Sequence, residues 1–513
     1  MTKTILSIFA LYFTTSIVLA GGSKPNIVFV YFDDMGYGDV SCLNPESKIQ
    51  TPNIDRMAAQ GMTFTDAHAP SAVCTPSRYG VLTGRYPWRS RRKSSVCGRF
   101  SPPLIRQERI TIAEMLRDNG YATGHVGKWH LGNGWQLKDG GDYEKAVAEM
   151  RKTKNKFADP GVDFTKPILD GANQHGFDYS ITANTTIYEN GVPLGEVQVI
   201  KPGSKYGYLD PNLKREEFVP LWVKKADEFI RKSAQSKQPF FLYYALTAPH
   251  EPHVPNKPFL GKSGAGIYGD FMLECDWVVG ELMVSLKAAG VDENTLVFLT
   301  SDNGPENCTL ELKTKYDHYA AGDWRGHKRL NFEGGHRVPT FARWPGVVRP
   351  GSVCDATVSQ VDFFATCAEM VGHKLRDDEA VDSWSMLSAF KGDGQFQRGE
   401  SVIYQNYLGQ LAIRKGDWVM MMHPAWKGML STYTDPEEPE VLDAEPFQLY
   451  NLKTDPRERT NLFRTNPEKA EELKTLAAEL VREGRSNPGS QQENDQPYEF
   501  MDQWNQIDWA ESR

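Results

Sequence analysis

The chain has 513 residues and a net charge of -8; 40% of its residues are hydrophobic, 24% charged and 11% aromatic. That composition is ordinary for a soluble globular enzyme and gives no electrostatic reason to expect DNA, RNA or an anionic membrane as partner. The length allows one large core plus a smaller attached one, and beyond residue 20 no apolar run reaches the roughly 18 residues that a membrane span needs.

Residues 1–20 have the layout of a secretory signal peptide. Lys3 supplies a positive start, Ile5 to Ala20 is apolar with a few hydroxyls, and Val18-Leu19-Ala20 ends on a small residue before Gly21-Gly22. The expectation is an exported protein, periplasmic or secreted, with no lipid anchor because no Cys follows the cleavage point. Asn26 to Phe32 is a nearly continuous apolar run, which suits a strand buried on both faces. Ile54 to Gln60 reads as helix, Tyr121 to Val126 and Phe240 to Leu246 as strands, Phe271 to Ala289 as a long amphipathic helix, and Leu296 to Thr300 as another buried strand. Strands alternating with helices predict an α/β fold with a mainly parallel central sheet flanked by helices.

Between Gly132 and about Lys214 the chain is rich in Gly, Asp and Lys with little period, so inserted loops bordering a site are expected over 132–214. From about Ser401 short strands at Val402–Tyr404, Leu411–Arg414 and Trp418–Met421 precede a helix from about Glu468 to Glu483, which reads as a smaller α+β unit. The expected organisation is therefore a signal peptide (1–20), an α/β domain (24–395), a C-terminal α+β subdomain (396–486) and a loosely held, Gln/Asn/Asp-rich tail (487–513).

Seven cysteines are an odd number for an exported chain, so at least one is expected not to pair. If Cys74 is used in chemistry, Cys42, Cys97, Cys275, Cys308, Cys354 and Cys367 remain, either as disulfides of undetermined connectivity or as buried thiols.

Asp33-Asp34 directly follows the first buried strand, and Asp302-Asn303 follows the Leu296 strand in the same way. Ligands of open α/β sheets bind beyond the carboxyl ends of the strands, and these four side chains offer only oxygen of the kind calcium prefers. One such pair alone would read as a turn and helix cap; two pairs favour a metal. Further on, Pro76 marks the first turn of a helix, placing Cys74 at a helix N-terminus, where anions bind and thiol pKa values fall. Arg78, four residues on, shares its helix face.

Cys74-Thr75-Pro76-Ser77-Arg78, with Leu82-Thr83-Gly84-Arg85, resembles the Cys-x-Pro-x-Arg signature of the type I, formylglycine-dependent sulfatases of the alkaline phosphatase superfamily. Gly120-Tyr121-Ala122-Thr123-Gly124-His125-Val126-Gly127-Lys128-Trp129-His130 resembles a second signature of that family. Ala248-Pro249-His250-Glu251-Pro252, Lys328-Arg329-Leu330-Asn331-Phe332-Glu333-Gly334-Gly335 and Leu449-Tyr450-Asn451-Leu452-Lys453-Thr454-Asp455-Pro456 match it as well. The similarity runs in order from about Lys24 to about Asn461.

The resemblance implies an alkaline-phosphatase-like fold and an enzyme that hydrolyses sulfate monoesters, with sulfated carbohydrate as the expected substrate. Cys74 would be converted to formylglycine (3-oxoalanine) by a formylglycine-generating enzyme. Asp33, Asp34, Asp302, Asn303 and residue 74 would bind Ca²⁺, while Arg78, Lys128, His130, His250 and Lys328 would surround the sulfate. His250 is then the expected acid for the leaving oxygen and His130 the base that releases sulfate. His253 and His327 are candidate substrate contacts. The basic stretch Arg85, Arg89, Arg91, Arg92, Lys93 and Arg99 reads either as a solvated face or as a guide for a polyanionic glycan. The chain as a whole resembles arylsulfatases, and Pro102-Pro103-Leu104-Ile105 and Lys128-Trp129-His130-Leu131-Gly132 are similar to segments of galactose- or N-acetylgalactosamine-6-sulfatases. Two alternatives stand beside this reading: a phosphate or phosphonate monoester hydrolase of the same superfamily, and a non-catalytic glycan-binding relative.

Overall fold

A computed structural model describes residues 24–153, 158–199, 208–306, 308–392, 396, 398–399, 401–424 and 445–497. The expected signal peptide and the last part of the tail lie outside the described residues.

The strands are, in chain order, β1 (Asn26–Asp33), β2 (Met62–Phe64), β3 (Ala67–His68), β4 (Ala122–Gly127), β5 (Tyr179–Ala183), β6 (Ile187–Glu189), β7 (Val192–Pro193), β8 (Gln198–Val199), β9 (Tyr208–Leu209), β10 (Phe240–Pro249), β11 (Thr295–Ser301), β12 (Thr340–Arg343), β13 (Ser352–Cys354) and β14 (Val358–Ser359). Ten of them form one sheet in the order β13-β2-β12-β11-β1-β10-β4-β5-β6-β7. Its centre, from β11 through β1, β10 and β4 to β5, is parallel. On one side β12 pairs antiparallel with β11 and with β2, which carries β13 in parallel; on the other the β5-β6-β7 meander is antiparallel. The expected mainly parallel sheet is what the chain forms.

β1 explains its own continuous apolar run. Side chains alternate across a sheet, so Ile27, Phe29 and Tyr31 enter a core shared with α2 (Cys74–Thr83) and α3 (Ile112–Asp118). Val28, Val30 and Phe32 enter the opposite core, built with α1 (Pro52–Ala59), α5 (Phe218–Ser236) and α6 (Gly266–Ala288). The helix expected to be amphipathic is α6, yet even Asp270, Glu274 and Asp276 are buried on it. It packs against α1, α5 and β10 together, so little of its surface meets water.

Two other expectations change. The 132–214 segment is not loop alone: it contains the helix α4 (Tyr143–Lys152), adds β5, β6 and β7 to the main sheet, and closes over its own core of Trp135, Leu137, Val147, Val162, Phe164 and Tyr188. Its elements are too short to show a period. The tail is not loose where it is described, because Asp495 pairs with Arg85 at 2.9 Å and Asn494 donates to Val481 O at 2.8 Å. All seven cysteines are free thiols.

A second sheet, β15 (Val402–Gln405), β16 (Leu411–Lys415), β17 (Trp418–Met421) and β18 (Gln448–Asn451), is antiparallel in chain order. The helix Pro467–Glu483 covers it through Ala470, Leu473 and Ala477. Its first strand holds the segment that precedes α2: Ala72 N donates to Gln405 O at 2.8 Å and Ser71 Oγ to the same oxygen at 3.0 Å.

Candidate active site

Parallel pairing builds the site. Phe32 lies opposite Ser301 in the β1/β11 register, and Asp302 N donates to Phe32 O at 3.0 Å. Asp33-Asp34 and Asp302-Asn303 therefore leave the sheet side by side, and all four are buried. Asp34 takes a left-handed backbone (φ 75°), and its Oδ1 accepts from Asn303 Nδ2 at 2.7 Å.

α2 begins at Cys74, after an extended Val73. Cys74 is 3% exposed, and its sulfur lies within 4.8 Å of carboxylate oxygens of both Asp33 and Asp302. Burial raises its thiol pKa and outweighs the nearby Lys128 and Lys328. This corrects the expectation of a thiol lowered by a helix terminus, because desolvation of the thiolate dominates. Arg78, one turn on, directs its guanidinium at Asp302 Oδ2 (Nη2 2.7 Å, Nε 3.1 Å) and at Lys128 O (3.2 Å).

β4 stops at Gly127, whose φ of 112° and whose absent Cβ, which would lie 1.9 Å from Ala245 O, only glycine can supply there. Lys128 and His130 thus leave the strand in a turn, and His130 itself has φ 57°. The turn still delivers both. Lys128 Nζ donates to Asp33 Oδ2 at 2.5 Å, and His130 Nε2 donates to Cys97 O at 2.9 Å. A carbonyl only accepts, so that bond leaves His130 Nδ1 as the lone-pair nitrogen, and it is buried without a hydrogen-bond partner. Burial, then Lys128 and Arg78, hold this imidazole well below its ordinary pKa.

His250 follows β10; its Nδ1 donates to Glu251 O at 2.7 Å, and its Nε2 lies 3.7 Å from Asp34 Oδ2. Lys328 Nζ donates to Asp34 Oδ2 at 2.7 Å and to Glu306 Oε2 at 2.8 Å. Glu306, buried and also bound to Arg329, was not anticipated; its signal was its place four residues beyond Asp302 in the same loop.

Asp33, Lys128, His130 and His250 line a cavity of 440 Å³, within the range of about 300–1,000 Å³ usual for small-molecule sites. Its walls include Arg99, Asn133, Thr182, Asn184, Arg215 and Phe218, so the 132–214 segment borders it. His327 is buried, and His253 packs edge-on against Tyr268 at 5.3 Å; neither lines this cavity.

The donor set suits a hard cation. Asp33 Oδ1 and Asn303 Oδ1 are buried with no hydrogen-bond partner. Burial raises the Asp33 carboxyl, but Lys128, His250 and Arg78 together hold it below the usual range. Burial and then Asp33 raise the Asp302 carboxyl against the pull of Arg78, and a cation between the two carboxylates would favour ionising both.

Residues 25–373 match the family model described as Sulfatase, and residues 322–486 match one described as N-sulphoglucosamine sulphohydrolase, C-terminal. An N-acetylgalactosamine-6-O-sulfatase of Bacteroides thetaiotaomicron is 36% identical over 486 residues, covering 88% of this chain and 92% of that protein. Arylsulfatase A of Homo sapiens is 31% identical, covering 89% and 88%. A solved structure concerned with the metabolism of multiple glycosaminoglycans by Bacteroides thetaiotaomicron superposes with TM-score 0.76 at 32% identity, over 90% of this chain and 99% of that one. A sulfatase from Pseudoalteromonas sp. shares the fold, with TM-score 0.67 at 22% identity over 91% and 92% of the two chains.

Proposed function

The chain belongs to the sulfatase family and is a sulfuric ester hydrolase, and from that premise we propose that it is an exported enzyme that removes sulfate from sulfated carbohydrate with a formylglycine at position 74 and a bound calcium ion. One observation carries this reading: Cys74 sits within 4.8 Å of Asp33 and Asp302, beside a cavity lined by Asp33, Lys128, His130 and His250. The names of the relatives support a sulfated sugar as substrate, with an N-acetylgalactosamine 6-sulfate unit as the first to try. The residue 1–20 pattern supports export. No helix among the described residues is long and apolar enough to cross a membrane.

The unmodified thiol is a poor nucleophile, because burial keeps it protonated. Formylglycine, hydrated, would supply one hydroxyl to attack sulfur and a second through which the sulfate ester collapses. Asp33, Asp34, Asp302 and Asn303 are the residues that would hold calcium through oxygen, and the ion would supply Lewis acidity and charge beside residue 74.

The remaining work belongs to the chain's own side chains. Lys128 and Lys328 set two positive charges near residue 74, where they balance charge on the transferred sulfo group. Arg78 holds Asp302 in place. His250 presents Nε2 as the atom that hands a proton to the departing sugar oxygen, since Nδ1 is committed to Glu251 O. His130, neutral and with its Nδ1 lone pair unshared, takes a proton as sulfate is released. The test is twofold. The mass of the peptide carrying residue 74 should be that of formylglycine after expression with a formylglycine-generating enzyme, and turnover of an aryl sulfate should exceed that of the matching aryl phosphate. Faster phosphate turnover would make the chain a phosphate or phosphonate monoester hydrolase, and turnover of neither would make it a glycan-binding relative.

A further inference from the structure

The basic stretch after the nucleophile helix is neither a solvated face nor a continuous guide. Arg85 and Arg89 are buried and paired with Asp495 and Asp382. Arg91 donates to Pro103 O, Arg92 to Ser101 Oγ at 3.3 Å, and Lys93 to Pro497 O. Among these six, Arg99 is the residue that lines the catalytic cavity. A second guanidinium, Arg215, joins it from a separate segment, the short 3-10 helix Arg215–Glu217 that leads into α5. Both side chains are part-buried.

The rest of the lining shows what these two can bind. Lys128 is paired with Asp33 at the reaction centre, whereas Arg99 and Arg215 enter the same lining from two other segments of the chain. Among the described residues of the lining, Glu251 is the one other carboxylate beside Asp33, which leaves those residues net positive. Asn133, Thr182 and Asn184 offer neutral donors and acceptors suited to sugar hydroxyls, while Phe218 and Val219 give an apolar surface. A guanidinium presents a planar fork that matches a carboxylate or a sulfate through paired hydrogen bonds.

We propose that Arg99 and Arg215 recognise a second anionic group on the substrate, distinct from the sulfate that is cleaved, so that the preferred substrate is a sugar carrying at least two negative charges. This deepens the sulfatase reading and rests on it. The shared chemistry is a planar or tetrahedral oxyanion, which a uronic acid or a further sulfate could provide.

The experiment reads binding and turnover separately. Three probes are used: N-acetylgalactosamine 6-sulfate, the same sugar with a second sulfate, and the same sugar linked to a uronic acid. Binding is measured by calorimetry on the full chain bearing Cys74→Ala, which prevents turnover, with and without Arg99→Ala or Arg215→Ala. The expected result is that the parent prefers at least one dianionic probe over the monosulfate by about tenfold or more, and that each arginine variant loses most of that preference. Arg→Lys should restore it only in part, and added salt should weaken the dianion selectively. The preferred dianionic probe identifies the source of the second group. Equal affinity for all three probes in the parent, or a preference unmoved in both variants, would overturn the inference. Turnover of the same probes by the modified wild-type chain tests the hydrolase reading independently: a preference that depends on the arginines without any turnover would sink that reading and keep this one.

Discussion

Arg78 donates from both Nη2 and Nε to the same oxygen of Asp302, at 2.7 and 3.1 Å, and leaves Asp302 Oδ1 beside Asp34 N at 3.3 Å. Both partners are fully buried. Removing one member of such a pair strands the other charge out of water, at a cost of about 3 kcal/mol. Arg78→Ala should lower stability by about that amount in urea and abolish turnover, whereas Arg78→Lys should keep most of the stability and still lose activity, because an ammonium cannot reproduce the fork. Wild-type stability in Arg78→Ala would show that the pair does not hold the site.

If Asp33, Asp34, Asp302 and Asn303 hold calcium, the ion binds the native state and not the unfolded one, so it must stabilise the fold. Exhaustive chelation should lower Tm and abolish activity, and calcium should restore both. Asp302→Ala should fold without bound metal by elemental analysis, and Asn303→Ala should weaken calcium affinity about tenfold, the loss expected for one ligand oxygen. A chelated enzyme with unchanged Tm and full activity would rule the metal out.

Cys74→Ser supplies an ordinary hydroxyl in the same buried position, 3% exposed in the parent. A serine hydroxyl can attack sulfur but has no second hydroxyl through which to release the ester. The variant should fold and then stall after at most about one turnover per site, with a sulfate ester detectable by mass on residue 74. Sustained turnover would exclude the formylglycine route.

His250→Ala should separate two classes of substrate. A sugar alkoxide needs a proton to leave and a nitrophenolate does not, so the loss on a sugar sulfate should be about a hundredfold and on an aryl sulfate less than about tenfold. Equal losses would place His250 in sulfate binding instead of proton transfer.

The pH dependence of stability follows from buried neutral imidazoles. His125 is packed against Tyr243, Trp129 and Phe177, and burial lowers its pKa to about 3; His336 is lowered to about 3 for the same first reason. In the unfolded chain both titrate near 6.5. Below that value the unfolded state takes up protons that the native state refuses, so this stability is fully present above about pH 6.5 and is lost as pH falls toward 3. Each histidine contributes a slope of about 1.4 kcal/mol per pH unit in that window. Urea unfolding between about pH 7 and pH 5 should show it, and His125→Phe should remove about one proton's worth of the slope. A flat profile would mean that these imidazoles are protonated in the native chain.

Much of this molecule was written into local sequence. The β1 run from Asn26, the strand-end pairs Asp33-Asp34 and Asp302-Asn303, and the helix start at Cys74 are each decided by neighbours within a few residues, because alternation, capping and turn chemistry act over that range. Three things needed the tertiary structure. Lys128 and His130 reach the site through a turn at Gly127 that only the approach of Ala245 O compels. The Cys74 thiol is raised and not lowered, because the burial that sets its pKa comes from elements far away in the chain. Arg85 and Arg99, alike in sequence, part company entirely: one is sealed against Asp495 from the tail, and the other lines the cavity. Desolvation and charge pairing depend on what the whole fold brings within a few ångströms, and no window of sequence contains that distance.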